Sequence, residues 1–441
     1  MNTIYNFFQH VFQDLKQEAS KNTSYFFIVL LLLTIPLPRF INNIVLLLLI
    51  ISVLINYSKT EFNKNWVLFL PIAMFLLMTA SYFWSIDQQE TLGAIPKEIA
   101  LLLLPLVFMK TPISLIQKEK LLKYYSYSMV ILVVFFLSRA TIRYIINQDI
   151  RAFFYHGEDT DDFGLVPKLL NAVHVSVFVA IAFFYFFTKE IKSKFDIFCA
   201  LLLAGFIVLL SSKNIILVFI FLIIIYVFYY SKTSHKMRLR NLIIFFGILI
   251  LAFSFGKIKE RFQEEFRNNT ENSLSPNVLS KLSNGVHNVS IYEAWNNEQF
   301  TPNDYFPGTA FRVYQMRIFF ELLNEEPIFL KGFGLNASKK LLLEKEKKYN
   351  LYNSYGTFNF HNQYIQNFAE LGVVGFLLLV IMLFVSLKIA IQNKNFMHFS
   401  FTILMISLFL TESFLWRQRG VVFFTTFYCF FSSGINLNNK E

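Results

Sequence analysis

The chain has almost no cysteine and little charge. Only Cys199 and Cys429 occur among 441 residues, both inside apolar runs, which leaves no disulfide framework and no thiolate metal cluster. No H-x-x-x-H or H-E-x-x-H pattern occurs, so a zinc hydrolase has no ligand set. A P-loop, a Rossmann glycine pattern and an internal repeat are all missing too, and nucleotide-driven chemistry has no seat. Charged residues make up 16% of the chain, against about 25% in soluble domains.

What is present is hydrophobic. Apolar residues reach 55%, with 55 phenylalanines, and residues 45–55, 67–79, 215–230 and 375–385 carry no charge. In a soluble protein each such helix would need burial on every side. The composition therefore predicts an all-α polytopic membrane protein. The net charge of +11 does not point to nucleic acid, because the Lys and Arg residues sit mostly in short links between apolar runs, where they orient a membrane protein. Residues 1–22 lack the small-residue cleavage site of a signal peptide.

A spanning helix needs roughly 20 apolar residues. About twelve segments fit this: 25–38, 40–57, 66–85, 95–109, 124–145, 168–187, 197–211, 214–230, 242–256, 371–390, 397–411 and 420–437. The first two, divided only by Pro38 and Arg39, also suit a re-entrant hairpin. Every second link is basic: Lys59/Lys64, Lys110/Lys118/Lys120, Lys189/Lys192/Lys194, Lys232/Lys236/Arg238/Arg240 and Lys388/Lys394. The positive-inside rule then puts both termini in the cytoplasm. It also gives three regions: N-terminal membrane helices over 1–256, a large periplasmic loop over 257–365, and C-terminal membrane helices over 366–441. In the loop, 268–303 reads as irregular, and 309–326 has helical periodicity stopped by Pro327. Gly332 and Gly334 mark a turn, and 336–349 suggests a charged surface helix.

His361 is the foremost candidate for chemistry. It lies where the long loop re-enters the membrane, in Asn359-Phe-His-Asn-Gln-Tyr-Ile-Gln. If the helix includes it, Tyr364, Ile365 and Phe368 share its face, with Asn362 and Gln366 as a neighbouring polar strip. An imidazole, titrating near about 6.5 when unperturbed, accepts a proton at neutral pH; a capping or interfacial histidine is the structural alternative. His174, inside the sixth segment, is a second ionisable residue at membrane depth, with a bond to a neighbouring helix as its alternative.

Arg312 and Arg317 are five residues apart and point about 140° away from each other on one helix. Arg317 has Glu321 at i+4, the ordinary surface pair. Arg312 has no such partner, and its guanidinium suits a diphosphate. Lys213, Arg139, Arg143, Arg417 and Arg419 lie at the outer ends of spans, Glu412 shares a short link with the last two, and contact with lipid phosphates is the competing role for these cations.

His361-Asn362, nine residues, then Gly372-x-x-Gly375 resembles the signature of the O-antigen ligase and O-antigen polymerase superfamily. Arg312 ahead of Glu-Glu-Pro327 and Gly332-Phe-Gly334 is similar to the region before that histidine. Ser211-Ser-Lys213 looks like the family's Ser-Arg turn with Lys in place of Arg, and Leu410-Thr-Glu-Ser with Arg417-Gln-Arg-Gly420 resembles its C-terminal part. The motifs span 308–420.

The resemblance implies a glycosyltransferase of the bacterial inner membrane with a periplasmic active site and no metal or other cofactor. It would move a glycan from undecaprenyl diphosphate to an acceptor hydroxyl, with inversion. His361 would be the general base, Arg312 would hold the diphosphate with help from Lys213, Arg139 or Arg143, and Asn362, Tyr364, Gln366 and Glu412 would orient acceptor and donor. The outer loop at 146–167 is short for a polymerase, and the chain ends soon after its last span. The second departs from the superfamily's protein-directed oligosaccharyltransferases, which often carry extra C-terminal sequence, and both lean toward an O-antigen ligase whose acceptor is lipid A-core, with a polymerase as the alternative. Partners are then the lipid-linked glycan, the acceptor and membrane lipids, and no nucleic acid. A flippase of the same lipid-linked glycan is the rival from another class, but repeated halves are not visible.

Overall fold

The computed structural model describes residues 9, 13–20, 22–56, 62, 64–154, 164–167, 170–210, 212–231, 247, 287–301, 303–352 and 355–433. Among them the fold is all-helical, apart from a two-residue parallel pairing of His287–Asn288 with Asp304–Tyr305. Five stretches are long and apolar enough to cross a membrane: Trp66–Trp84, Gln88–Lys110, Leu115–Asn147, Lys213–Tyr230 and Gln363–Gln392. Shorter apolar helices accompany them. Of the expected ninth segment, 242–256, only Gly247 is described.

The helices used below are α1 (Thr23–Thr34), α2 (Arg39–Ile55), α3 (Phe69–Ala80), α4 (Gln88–Glu98), α5 (Ala100–Lys110), α6 (Leu115–Asn147), α7 (Ala172–Thr188), α8 (Lys194–Leu210), α9 (Lys213–Ile225), α10 (Ile291–Asn296), α11 (Gly308–Glu325), α12 (Ser338–Lys348), α13 (Gln363–Gln392), α14 (Phe396–Phe409) and α15 (Gln418–Ser432). α1 covers only about 18 Å at about 1.5 Å per residue, short of the roughly 30 Å hydrocarbon core. Asn42 of α2 donates to Leu31 O at 3.1 Å and Thr34 Oγ1 at 3.0 Å, which ties the pair together. α7 and α15 are apolar and buried on nearly every side, the pattern of central helices. Phe178 and Phe423 join them at 4.5 Å between rings.

α13 is broken. Gly372 takes φ 67°, ψ −167° inside it, conformational space that a side chain disfavours. The turn at 329–334 supplies hydrogen bonds across the break. Val373 N donates to Phe329 O at 2.8 Å, Phe333 N to Ala369 O at 2.8 Å and Gly334 N to Glu370 O at 2.9 Å. A break at membrane depth is tolerated when neighbouring protein satisfies the backbone in this way. The contact is reciprocal: a Cβ on Gly372 would lie 2.2 Å from Leu330 O, and one on Gly332 would lie 2.3 Å from the Glu370 carbonyl carbon.

The polar segment has a separate apolar core, including Phe300, Phe306, Tyr314, Phe319 and Phe360. α11 stops before Pro327, as its periodicity predicts. α12 is less exposed than its charges suggest, because Lys345 and Glu346 are buried. Lys345 Nζ donates to Glu321 Oε2 at 2.7 Å and Glu325 Oε1 at 2.9 Å, and Tyr349 OH donates to Glu321 Oε2 at 2.7 Å.

Arg317 closes this network. It donates to Glu321 Oε1 at 2.9 Å and Asn297 O at 2.6 Å, and stacks 5.0 Å from the Tyr349 ring centre. The i+4 pair exists, but it is not a surface pair: only 12% of the Arg317 side chain is exposed. Arg317→Ala should therefore destabilise the segment by about 2–3 kcal/mol, the scale of lost charged hydrogen bonds plus one cation–π contact. Thermal melting of purified protein would read it. Burial pushes the Glu321 carboxyl up, but hydrogen bonds from Lys345, Tyr349 and Arg317 outweigh it and leave the pKa lowered. A lowered folded value means the stabilisation is complete above the usual glutamate value of about 4.3 and is lost as pH falls below it.

Candidate active site

Three segments far apart in the chain meet where α13 begins. Asn362 caps that helix, its Oδ1 accepting from Tyr364 N at 3.0 Å and Ile365 N at 3.1 Å. His361 therefore stands just outside the helix, and the expected shared face with Tyr364, Ile365 and Phe368 does not form. Its backbone is left-handed at φ 48°, held by Asn359 Oδ1, which accepts from His361 N at 2.9 Å. The ring lies against Phe311 at 5.5 Å and Phe358 at 5.9 Å between centres. Nδ1 is buried without a hydrogen-bond partner, while 24% of the side chain is exposed.

Glu412 comes from the link between α14 and α15. Its Oε2 lies 3.7 Å from His361 Nδ1, and its Oε1 lies 3.3 Å from Arg312 Nη2. One carboxylate thus bridges the arginine and the histidine. Burial pushes its pKa up, but contact with His361 and the charges of His361, Arg312 and His174 outweigh this and hold it at about 2. Glu412 is ionised throughout the neutral range. The 3.7 Å contact is an ion-pair distance, longer than a formed hydrogen bond.

Arg312 is fixed on three sides. Nε donates to Thr411 O at 2.8 Å and Nη1 to Gly308 O at 2.9 Å, besides the Glu412 contact. A guanidinium has five N–H groups, so two remain for another acceptor among the described residues.

The other expected site residues divide. Lys213 begins α9 beside Asn214, whose amide donates to Thr411 Oγ1 and Ser407 O, both at 2.8 Å. Lys213 therefore sits at the same end of the bundle as Arg312. Arg139 and Arg143 lie on the last turns of α6, and Arg143 donates to Gly164 O at 3.5 Å. None of the contacts described here joins either one to Arg312 or His361. Tyr364 OH donates to Ile406 O at 3.0 Å, and Asn362 Nδ2 to Leu410 O at 3.2 Å. Gln366 is buried: Oε1 accepts from Phe360 N at 3.1 Å and Ser413 Oγ at 3.4 Å, and Nε2 donates to Glu370. The polar strip expected to face a sugar binds the Leu410–Ser413 link instead. His174 is buried against Phe414 at 4.3 Å, just behind that link.

Residues 198–380 match the family model described as O-antigen ligase. Over those residues the chain is similar to that family. No curated protein matches the chain. The family comprises membrane enzymes of ligase or polymerase type. Its matched region includes Lys213, Arg312, His361 and the Gly372-x-x-Gly375 break. Glu412, 51 residues beyond His361, falls outside it. The sequence places Glu412 only among orienting residues; its bridging position depends on the tertiary fold.

Proposed function

We propose that the chain is a glycosyltransferase that moves a glycan from undecaprenyl diphosphate to an acceptor hydroxyl at the periplasmic face of a bacterial inner membrane, ligating O-antigen to lipid A-core. The observation that carries this reading is the Glu412 carboxylate between Arg312 and His361. A carboxylate at Nδ1 favours the tautomer with the proton there and leaves the Nε2 lone pair to accept one. The acceptor oxygen attacks the anomeric carbon as its proton passes to Nε2. The bond from that carbon to the diphosphate oxygen breaks with inversion, and undecaprenyl diphosphate leaves. Arg312, with two N–H groups to spare, stabilises the charge developing on the diphosphate, and Lys213 adds a second positive charge at that end. Nothing in this scheme needs a metal, because the donor already carries its leaving group.

Deletion of the gene tests the reading. A ligase predicts lipid A-core without O-antigen and accumulation of undecaprenyl-linked chains. Core capped by a single repeat unit would instead identify a polymerase. Lipid-linked glycan held on the cytoplasmic side would identify a flippase and end the proposal.

Glu412→Gln is expected to lower transfer by about 10²-fold, a share of what a positioned base provides, while the protein stays folded. Glu412→Asp should recover part of that loss. A donor-binding assay alongside transfer separates the roles. Loss of transfer with binding retained supports orientation of His361, and equal losses in both would make Glu412 chiefly the anchor of Arg312.

A further inference from the structure

At the opposite end of the bundle, three basic links that are separate in sequence close around one cavity of about 670 Å³. Lys118 and Leu122 come from the start of α6, Lys189 from the end of α7, Asn393 and Asn395 from the α13–α14 turn, and Phe430 from the end of α15. The 20 residues of α13 after Gly372, through Gln392, span about 30 Å, which puts the cavity about one hydrocarbon thickness from the break at Gly372.

Its two lysines are unequally compensated. Lys118 Nζ donates to the Ser433 carbonyl and lies 5.6 Å from the Phe430 ring centre. Among the described residues no carboxylate pairs with it. It also stands in the opening turns of α6, where the helix dipole disfavours a cation. Lys189 is paired with Asp196 at 2.6 Å, and Glu119 stands exposed at the rim. Asn395 uses its carbonyl oxygen to cap α14, which leaves its amide N–H groups to donate. A half-buried ammonium held by a neutral carbonyl and one ring face is under-compensated, and an anion would relieve it. Beside the cavity, Leu115 and Ile116 are 84% and 68% exposed, an apolar path out of the cavity that a soluble anion would not use.

We propose that this cavity binds the phosphate headgroup of an anionic membrane phospholipid. Lys118 is its main charge partner, the Asn393 and Asn395 amides donate to the phosphate, and the acyl chains leave along Leu115 and Ile116. The bound lipid braces the ends of α6, α7, α13 and α15 on the face away from the candidate active site.

The full-length protein in neutral detergent tests this by native mass spectrometry and thermal melting. The probes are dioleoylphosphatidylglycerol, dioleoylphosphatidylcholine and inorganic phosphate. The phosphatidylglycerol should bind and raise the melting temperature, and the other two should not. Lys118→Gln should weaken that binding about fivefold, the worth of one basic residue at an anionic surface, and Lys118→Arg should restore it. Asn393→Asp, at an exposed turn, should weaken it as well without disturbing packing, so the test does not depend on one variant folding. Equal phosphatidylglycerol binding by wild type, Lys118→Gln and Asn393→Asp would overturn the proposal. So would inorganic phosphate that competes at equal concentration, since the site would then take a soluble anion.

Discussion

His361→Ala is expected to reduce glycan transfer by about 10²–10⁴-fold, the usual contribution of a positioned general base, with donor binding nearly unchanged. The geometry supports that separation. The imidazole touches Glu412 by ion-pair contact and two phenylalanine rings edge-on or tilted, so its loss opens a partly exposed site rather than a core cavity. Arg312 keeps its bonds to Thr411 O and Gly308 O without the histidine, and its hold on a diphosphate should persist. One effect runs the other way. Alanine takes up the left-handed backbone at φ 48° less readily than histidine, which adds a small cost to the turn. His361→Asn tolerates that backbone better and lacks a ring base, so it serves as a matched control. Transfer and donor binding measured on both variants decide the matter. Normal transfer in either would end the assignment, and lost binding in both would move His361 into the diphosphate site.

Gly372→Ala is expected to remove folded protein altogether. The new methyl would meet Leu330 O at 2.2 Å and Lys331 N at 2.6 Å, both backbone atoms that cannot swing aside. Relieving the overlap means withdrawing the 329–334 turn and with it three hydrogen bonds across the helix break. Together with the positive φ, the cost should exceed about 4 kcal/mol, in the range that single substitutions rarely reach. Gly93→Ala is the control, because a Cβ there has nothing within 4 Å, and alanine inside a helix is worth roughly 0.5–1 kcal/mol over glycine. Detergent-solubilised yield and elution profile should show wild-type behaviour for Gly93→Ala and loss or aggregation for Gly372→Ala. A monodisperse Gly372→Ala protein at normal yield would show that the break is not required.

What could be read from the sequence follows the range of the interactions involved. The end of α11 at Pro327 and the i+4 partner of Arg317 are local, and both are present. The exposure of that partner pair is not local. It depends on Lys345 and Tyr349 arriving from α12, and a surface pair becomes a buried network. The expected face of His361 fails for a local reason: Asn362 starts the helix one residue later, and an asparagine at that point reads equally well as a strip residue or as a cap. Gln366 turns inward because the Leu410–Ser413 link needs partners, and that link is more than 40 residues away. Gly332 and Gly372 read individually as turn or motif glycines, and only the fold shows that each makes room for the backbone beside the other.

The break at Gly372 has a mechanical consequence. Residues 363–371 continue into a spanning helix by covalent bond, yet they are hydrogen-bonded to the 329–334 turn and anchored to the link between α14 and α15 through Gln363 and Gln366. A span meets a thicker or thinner bilayer by changing its tilt. In this chain the 329–334 turn grips both sides of the glycine, Ala369 and Glu370 before it and Val373 after it, so the turn that holds residues 363–371 also restrains the start of the span.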